Sequence, residues 1–193
     1  MIYLVRHGQT RFNAEGRLQG RLDSPLTDLG RRQAEAVGAR LRAMLVDPAS
    51  IPLESSPLGR AMETARIIRR ATGGGVIGQD DRLREISLGS WDGLTPEEVE
   101  AGWPGLWRST VRESWAETCP DGEAYDDAVA RLRAWLQSAV AGPPRIVVSH
   151  GGAISLLRGL HLGLGPAETL TQAIPQGVIF VLHPGEIDAI ACL

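Results

Sequence analysis

Leu4-Val5-Arg6-His7-Gly8-Gln9-Thr10 closes an apolar run with an arginine, a histidine and a glycine in immediate succession. Residues 2–5 read as a short buried strand, and Gly8 lets the chain turn at once, so the His7 imidazole is expected at the strand's carboxyl end. Open α/β sheets keep their ligands at that edge. A guanidinium beside the imidazole repels a metal cation and welcomes a dianionic phosphate. The stretch points to phosphate chemistry without a metal.

Outward from this stretch, short apolar runs alternate with helical spacing, the pattern of a layered α/β domain. Strands are predicted at residues 2–5, 51–55, 76–77, 146–149, 178–182 and 187–191. Ala34, Val37, Leu41 and Leu45 form a helical stripe behind Thr27 as N-cap. Ala61, Ala65 and Ile68 form a second after Pro57. Val129, Leu132, Leu136 and Val140 form a third, led in by Asp121 and Gly122, and Ile154, Leu157 and Leu160 a fourth. His183-Pro184-Gly185-Glu186 has hairpin length, so the last two strands are expected to be antiparallel. Residues 89–121, rich in Trp, Gly and Pro, are too long for a simple connection and are expected to form an irregular lid over the strand ends.

A chain of 193 residues with 43% hydrophobic content buries one core, so a single domain over residues 1–193 is expected. All 20 basic residues are arginine, which excludes a Schiff-base lysine and a Walker-type phosphate loop. The net charge of -3 leaves no basic face for duplex nucleic acid. Arg6, Arg11, Arg17 and Arg21 crowd one early segment instead, which suits a small anion. Cys119 and Cys192 lack a paired spacing and read as free thiols of a reducing compartment. The apolar runs are of strand length, far short of a membrane span, and no basic-then-apolar leader opens the chain. A cytoplasmic protein without a membrane partner is expected.

Three later motifs belong at the same strand ends. Ser55-Ser56-Pro57-Leu58-Gly59-Arg60 follows a strand and opens a helix, so Arg60 can turn toward His7 while the helix's first N–H groups favour an anion. Val147-Val148-Ser149-His150-Gly151-Gly152 repeats the strand, histidine, glycine order of the N-terminus. Leu83-Arg84-Glu85-Ile86, just before a glycine-broken aromatic segment, offers a carboxyl held partly out of water, a setting for proton donation. His161 and His183 lack such a setting and are assigned to structure. A metal site built from His7, His150 and Glu85 is the rival reading, disfavoured by the arginines in its first shell.

Together these residues resemble the histidine phosphatase superfamily, which includes cofactor-dependent phosphoglycerate mutases and many small phosphatases. The likeness runs from the first strand to His150. It implies a three-layer α/β/α sandwich with a mostly parallel central sheet. It also implies that His7 is the nucleophile, Glu85 the proton donor, and Arg6, Asn13, Arg60, protonated His150 and Gly151 the phosphate pocket, with no cofactor. The implied activity is metal-independent hydrolysis of phosphate monoesters of small metabolites through a phosphohistidine. The mutase branch generally carries an insertion between the acid and the second histidine that this compact chain lacks, which makes a 2,3-bisphosphoglycerate-dependent mutase the runner-up. A non-catalytic phospho-ligand binding module is the third reading. The expected partner is a small phosphorylated metabolite, and a homodimer is the commonest assembly for such a chain.

Overall fold

A computed structural model describes residues 1–109, 119 and 121–193. Six strands form one sheet in the order β3-β2-β4-β1-β5-β6. They are β1 (Ile2–Arg6), β2 (Leu53–Ser55), β3 (Ile77–Gln79), β4 (Arg145–Ser149), β5 (Val178–His183) and β6 (Glu186–Ala191). β1, β4, β2 and β3 run parallel, and β5 and β6 are antiparallel to their neighbours. The expected hairpin is present, with Gly185 at the turn supplying a positive φ of 79°. The weakest expected strand, 76–77, is shifted to Ile77–Gln79 at the sheet edge, leaving Val76 exposed. A three-residue edge strand carries too little apolar pattern to fix its bounds.

The alternation along β1 builds two cores. Ile2 and Leu4 pack with Leu132 and Leu136 of α6 (Tyr125–Val140) and Ile154 and Leu157 of α7 (Gly151–Leu162) on one face. Tyr3 and Val5 pack with Val37 and Leu41 of α2 (Asp28–Met44) and Ala61, Ala65 and Ile68 of α3 (Gly59–Thr72) on the other. The result is the mostly parallel sheet between two helix layers. The chain leaves β1 toward α2 and leaves β4 toward α7, on opposite faces, while β1 and β4 are neighbours with Arg6 opposite Ser149. Their carboxyl ends therefore flank the crevice where strand order reverses.

The described part of the expected irregular stretch is instead largely helical. A 3-10 turn over Gly89–Trp91 leads to α4 (Pro96–Gly102), started by a Thr95/Glu98 capping box, and to α5 (Leu106–Ser109). Trp91, Val99 and Cys119 form a small core there, with Trp103 and Trp107 edge-on to Trp91. Trp115 lies outside the described residues. Tyr125 packs on the α6–α7 core, not here. A short α1 (Arg11–Ala14) follows the opening motif, and α8 (Pro166–Thr171) follows α7.

Thr27 caps α2 as expected, accepting from Gly30 N–H at 3.0 Å. Its backbone N–H and side chain also bond the Gln9 carbonyl, so the loop after His7 lies directly on the helix N-terminus. Contact is so close that a Cβ on Gly30 would stand 2.1 Å from the Gln9 carbonyl oxygen, and one on Gly8 2.2 Å from that of Gly30. Gly30→Ala should therefore force the His7 loop off α2, costing about 1–3 kcal/mol of stability. A urea midpoint unchanged from wild type would refute this close approach.

Candidate active site

Three adjacent parallel strands deliver the site. β1 ends in Arg6 and His7, β4 in Ser149 and His150, and β2 in Ser55 and Ser56. His7 N–H donates to the Ser149 carbonyl at 3.0 Å, and Ser56 N–H donates to that of Val148 at 2.9 Å. The ladder thus continues just past the strand ends and fixes all three. The two imidazoles lie 5.2 Å apart, centroid to centroid, and are buried.

Backbone and hydroxyl partners choose the tautomers. His7 Nδ1 donates to the Gly8 carbonyl at 2.8 Å, which leaves Nε2 as the nitrogen with a lone pair. Arg60 Nε donates to that Nε2 at 3.3 Å. Ser56 Oγ accepts from Leu58 N–H and lies 2.7 Å from His150 Nε2. Leu58 N–H takes one lone pair of Ser56 Oγ, and among the described residues the hydroxyl proton has no other acceptor than His150 Nε2; we assign it there, which leaves neutral His150 with its own proton on Nδ1. That Nδ1 is buried and has no hydrogen-bond partner among the described residues, and neither has Arg6 Nε. Buried donors left unpaired cost about 1–3 kcal/mol each. Acceptors from a bound oxyanion would remove that cost.

Arg60 is held almost completely. Its guanidinium donates to the carbonyls of Leu22 and Gly20, both at 2.7 Å, and to Asp23 Oδ1 at 3.1 Å. Asp23 also accepts from Gly59 N–H at 2.6 Å and from Arg60 N–H at 3.3 Å. This corrects the expectation for the start of α3, whose first N–H groups are taken by a carboxylate and do not face an anion. Arg6 is braced by one bond, from Nη1 to the Ile174 carbonyl at 2.7 Å.

Glu85 lines the same cavity and is held partly out of water, as expected, with backbone N–H groups around its carboxylate. Its Oε1 accepts from Ile86 N–H and Ala153 N–H, both at 3.0 Å, and its Oε2 from Gly152 N–H at 3.1 Å. The carboxylate caps α7, where the helix's free N–H groups favour negative charge. Gly152 permits this, since a Cβ there would stand 2.9 Å from Oε1. Gly151 opens the same turn beside Arg6 and lines the cavity. Asn13 also lines it. Because Thr10 N–H donates to the Asn13 side chain at 3.2 Å, and Gln176 Nε2 at 3.0 Å, the acceptor end is Oδ1 and the amide Nδ2 remains to donate.

Four of the five side chains singled out as the reactive set, Arg6, His7, Arg60 and Glu85, thus line one cavity of about 670 Å³. The fifth, His150, is fully buried next to the His7 ring and is not among the residues that line the cavity. Sequence reasoning missed Asp23, Ser56 and Gln19. Ser56 and Asp23 act through neighbours that no spacing reveals. Gln19 accepts from Thr10 Oγ1 at 2.9 Å, and its buried Nε2 is unpartnered at the cavity wall. His161 and His183 lie elsewhere. His161 Nε2 meets the His183 carbonyl, and His183 pairs with Asp188 at 3.1 Å, as suits structural residues. Among the described residues, no three His, Cys, Asp or Glu side chains are grouped to hold a metal ion.

A family model of the histidine phosphatase superfamily, branch 1, matches residues 2–192. The chain belongs to this superfamily. It is 40% identical to the probable phosphoglycerate mutase GpmB of Yersinia pestis over 172 residues, 84% of this chain and 75% of that protein. The solved structure of Bacillus stearothermophilus YhfR superimposes with a TM-score of 0.83 at 32% identity, covering 98% of this chain and 95% of that one. A mycobacterial glucosyl-3-phosphoglycerate phosphatase in complex with VO3 gives 0.82 at 32% identity, covering 98% and 96%. Superfamily relatives thus include mutases and phosphatases. Among the described residues, no helix is long and apolar enough to cross a membrane.

In the ligand-free site, burial and neighbouring charge bear on both imidazoles. Burial, then the Arg60 and Arg6 charges, push the His7 imidazole well below its ordinary pKa, and burial, Arg60, His7 and Arg6 do the same to His150. Both imidazoles of the ligand-free site are therefore held toward their neutral forms. The unfolded chain binds protons near pH 6.5 that the folded chain refuses, so stability falls as pH drops below that value. Each imidazole contributes a loss of up to about 2 kcal/mol by pH 5. Urea unfolding in phosphate-free buffer between pH 7 and pH 5 should show the decline, and His150→Asn should decline less steeply. Parallel curves for the two proteins would rule out a buried neutral His150.

Ser56→Ala should remove the tautomer lock without touching the cavity wall. We expect about a tenfold loss in kcat/KM for phosphate esters, the weight of one neutral hydrogen bond of about 1.4 kcal/mol. Ser56→Thr, which keeps the hydroxyl, should recover most of it. Equal rates for the alanine and threonine variants would remove Ser56 from the mechanism.

Proposed function

We propose that this chain hydrolyses phosphate monoesters of small metabolites through a covalent phosphohistidine at His7, without a metal. One observation carries the reading. Two buried donors without partners among the described residues, Arg6 Nε and His150 Nδ1, belong to the neighbours of an imidazole whose Nε2 is the acceptor nitrogen. A tetrahedral dianion satisfies both and places phosphorus against Nε2.

In the first half, His7 Nε2 attacks phosphorus, the N–P bond forms and the P–O ester bond breaks. Glu85 gives its proton to the departing oxygen. Oε2, which accepts only one backbone N–H, is the oxygen with room to carry that proton. Arg6, Arg60, His150 and the Asn13 amide hold the nonbridging oxygens, where the charge of the transferring group collects, and Gly151 N–H lies within the same turn. In the second half, water attacks phosphorus, Glu85 takes the water proton and the N–P bond breaks. Alcohol and inorganic phosphate leave. Depressed basicity keeps His7 neutral, hence nucleophilic, well below pH 6.5.

A mutase reading draws support from the GpmB relative. A mutase must also hold the second anionic group of a phosphoglycerate. The remaining cation on the cavity wall among the described residues is Arg17, and it is engaged. Its Nη1 donates to Glu98 at 2.8 Å and to the Gly93 carbonyl at 2.8 Å, and its Nε to Glu15 at 3.2 Å. Hydrolysis of a monoanchored ester is therefore favoured, and retention of this full residue set argues against a purely binding role.

The protein should release phosphate from p-nitrophenyl phosphate after exhaustive chelation as fast as before it. His7→Ala should abolish release, and wild type trapped during turnover should carry acid-labile, alkali-stable phosphate on His7. Glu85→Gln should lower kcat on alkyl phosphates about 10²–10⁴-fold, the range of general acid–base catalysis. Release by His7→Ala at the wild-type rate would defeat the covalent route. Phosphoglycerate interconversion on adding 2,3-bisphosphoglycerate, faster than hydrolysis, would favour the mutase.

A further inference from the structure

The phosphoryl group occupies only the floor of the cavity. At about 670 Å³ the whole space is of the size that accepts a drug-sized ligand, so most of it must receive the alcohol part of the substrate. Besides Arg6, Arg60 and Glu85, the lining draws on two apolar groups, Leu18, Leu88 and Trp107 packed on the Trp91 core, and Leu170 and Ile174 packed on the α6–α7 core, with polar Gln19 and Gln172 beside them. Trp91 backs the first group and is locked edge-on between Trp103 and Trp107.

Both groups are anchored on elements that also hold the phosphate floor. The Ile174 carbonyl braces Arg6, and Gln172 Nε2 bonds back to the Ser155 and Thr169 carbonyls, fixing the segment after α8 over the cavity. In the first group, Leu18 N–H donates to the Leu94 carbonyl at 2.8 Å and Gly93 N–H to that of Leu18 at 2.6 Å. Among the described residues, the charged lining side chain other than Arg6, Arg60 and Glu85 is Arg17, already shared between Glu98 and Glu15.

We infer that this slot is the leaving-group subsite of the proposed phosphatase, and that it takes an uncharged, apolar, ring-bearing alcohol in preference to a small or second-anion-bearing one. This inference rests on the phosphomonoesterase reading and adds the class of substrate to it. An apolar group of ring size leaves water for these two clusters of apolar side chains, each buried methylene contributing about fourfold in binding. A carboxylate or second phosphate would lose its hydration there without gaining a free cation.

Two arms test this separately from catalysis. In the first, kcat/KM is compared for ethyl phosphate, 3-phenylpropyl phosphate and 3-phosphoglycerate. The two alkyl esters have leaving alcohols of similar acidity, so chemistry does not mask recognition. We expect 3-phenylpropyl phosphate to exceed ethyl phosphate by at least about tenfold and to exceed 3-phosphoglycerate as well. Trp107→Ala and Leu170→Asn, one from each apolar group, should each reduce the phenylpropyl-to-ethyl ratio. In the second arm, calorimetric Kd values are measured for 3-phenylpropylphosphonate and ethylphosphonate, which cannot be hydrolysed. A tenfold tighter Kd for the phenylpropyl compound upholds the subsite even if no ester is turned over, in which case the phosphatase reading alone fails. Equal Kd values, or a preference for 3-phosphoglycerate, overturn the subsite and leave hydrolysis standing.

Discussion

Two guanidinium groups and two imidazoles share one buried floor, and like charge in low dielectric governs everything built around them. Neither histidine can protonate easily beside Arg6 and Arg60, so both imidazoles remain neutral. On the proposed reading, neutrality suits His7 to act as a nucleophile and leaves His150 one proton to donate. The arginines themselves are lowered by burial, and Glu85 pushes back on both, joined by Asp23 on Arg60. The protein supplies enough negative charge to fold around this floor while leaving Arg6 Nε and His150 Nδ1 unpaired. That imbalance stores affinity for an oxyanion in the folded state.

Carboxylate placement divides the labour. Asp23 sits behind Arg60, capping α3 and pinning the guanidinium to the 20–23 loop, and has no role that requires it to move. Glu85 sits at the cavity wall on the first turn of α7, bonded only to backbone N–H groups. Backbone donors fix its position while leaving an oxygen to exchange a proton. The same helix start places Gly151 beside Arg6 and Gly152 against Glu85, so a single turn of backbone orients the acid relative to the phosphate seat. The outer cavity follows a different rule, with apolar walls and a cation already neutralised. On the proposed reading, this division between a charged floor and a mostly apolar outer cavity separates anchoring of phosphate from selection of the alcohol.

Much of the fold was legible because burial imposes period. The alternation Ile2, Tyr3, Leu4, Val5 divides between two helix layers, and the stripes from Val37 and Leu132 face the sheet as their spacing predicts. The shift of the edge strand to Ile77–Gln79 and the helices α4 and α5 were not legible. An edge strand and a small satellite core around Trp91 bury too few residues to set a period. The first turn of α3 misled for another reason. A helix start advertises free N–H groups in any sequence, and only the long-range approach of Asp23 shows them occupied.

By itself, the sequence determined which chemical groups are present and which strand or helix end carries each. His7, His150, Arg60 and Glu85 each abut a glycine or a boundary signal that local backbone preference makes readable. Only the tertiary structure decided what each group does there. The β1–β4 register sets the two imidazoles 5.2 Å apart, Ser56 chooses the tautomer of His150, and α7 takes Glu85 as its cap. These outcomes depend on distances between residues remote in the chain, and on the water that packing removes. Electrostatic strength in a protein is set by exactly those two quantities, and neither is written in local pattern.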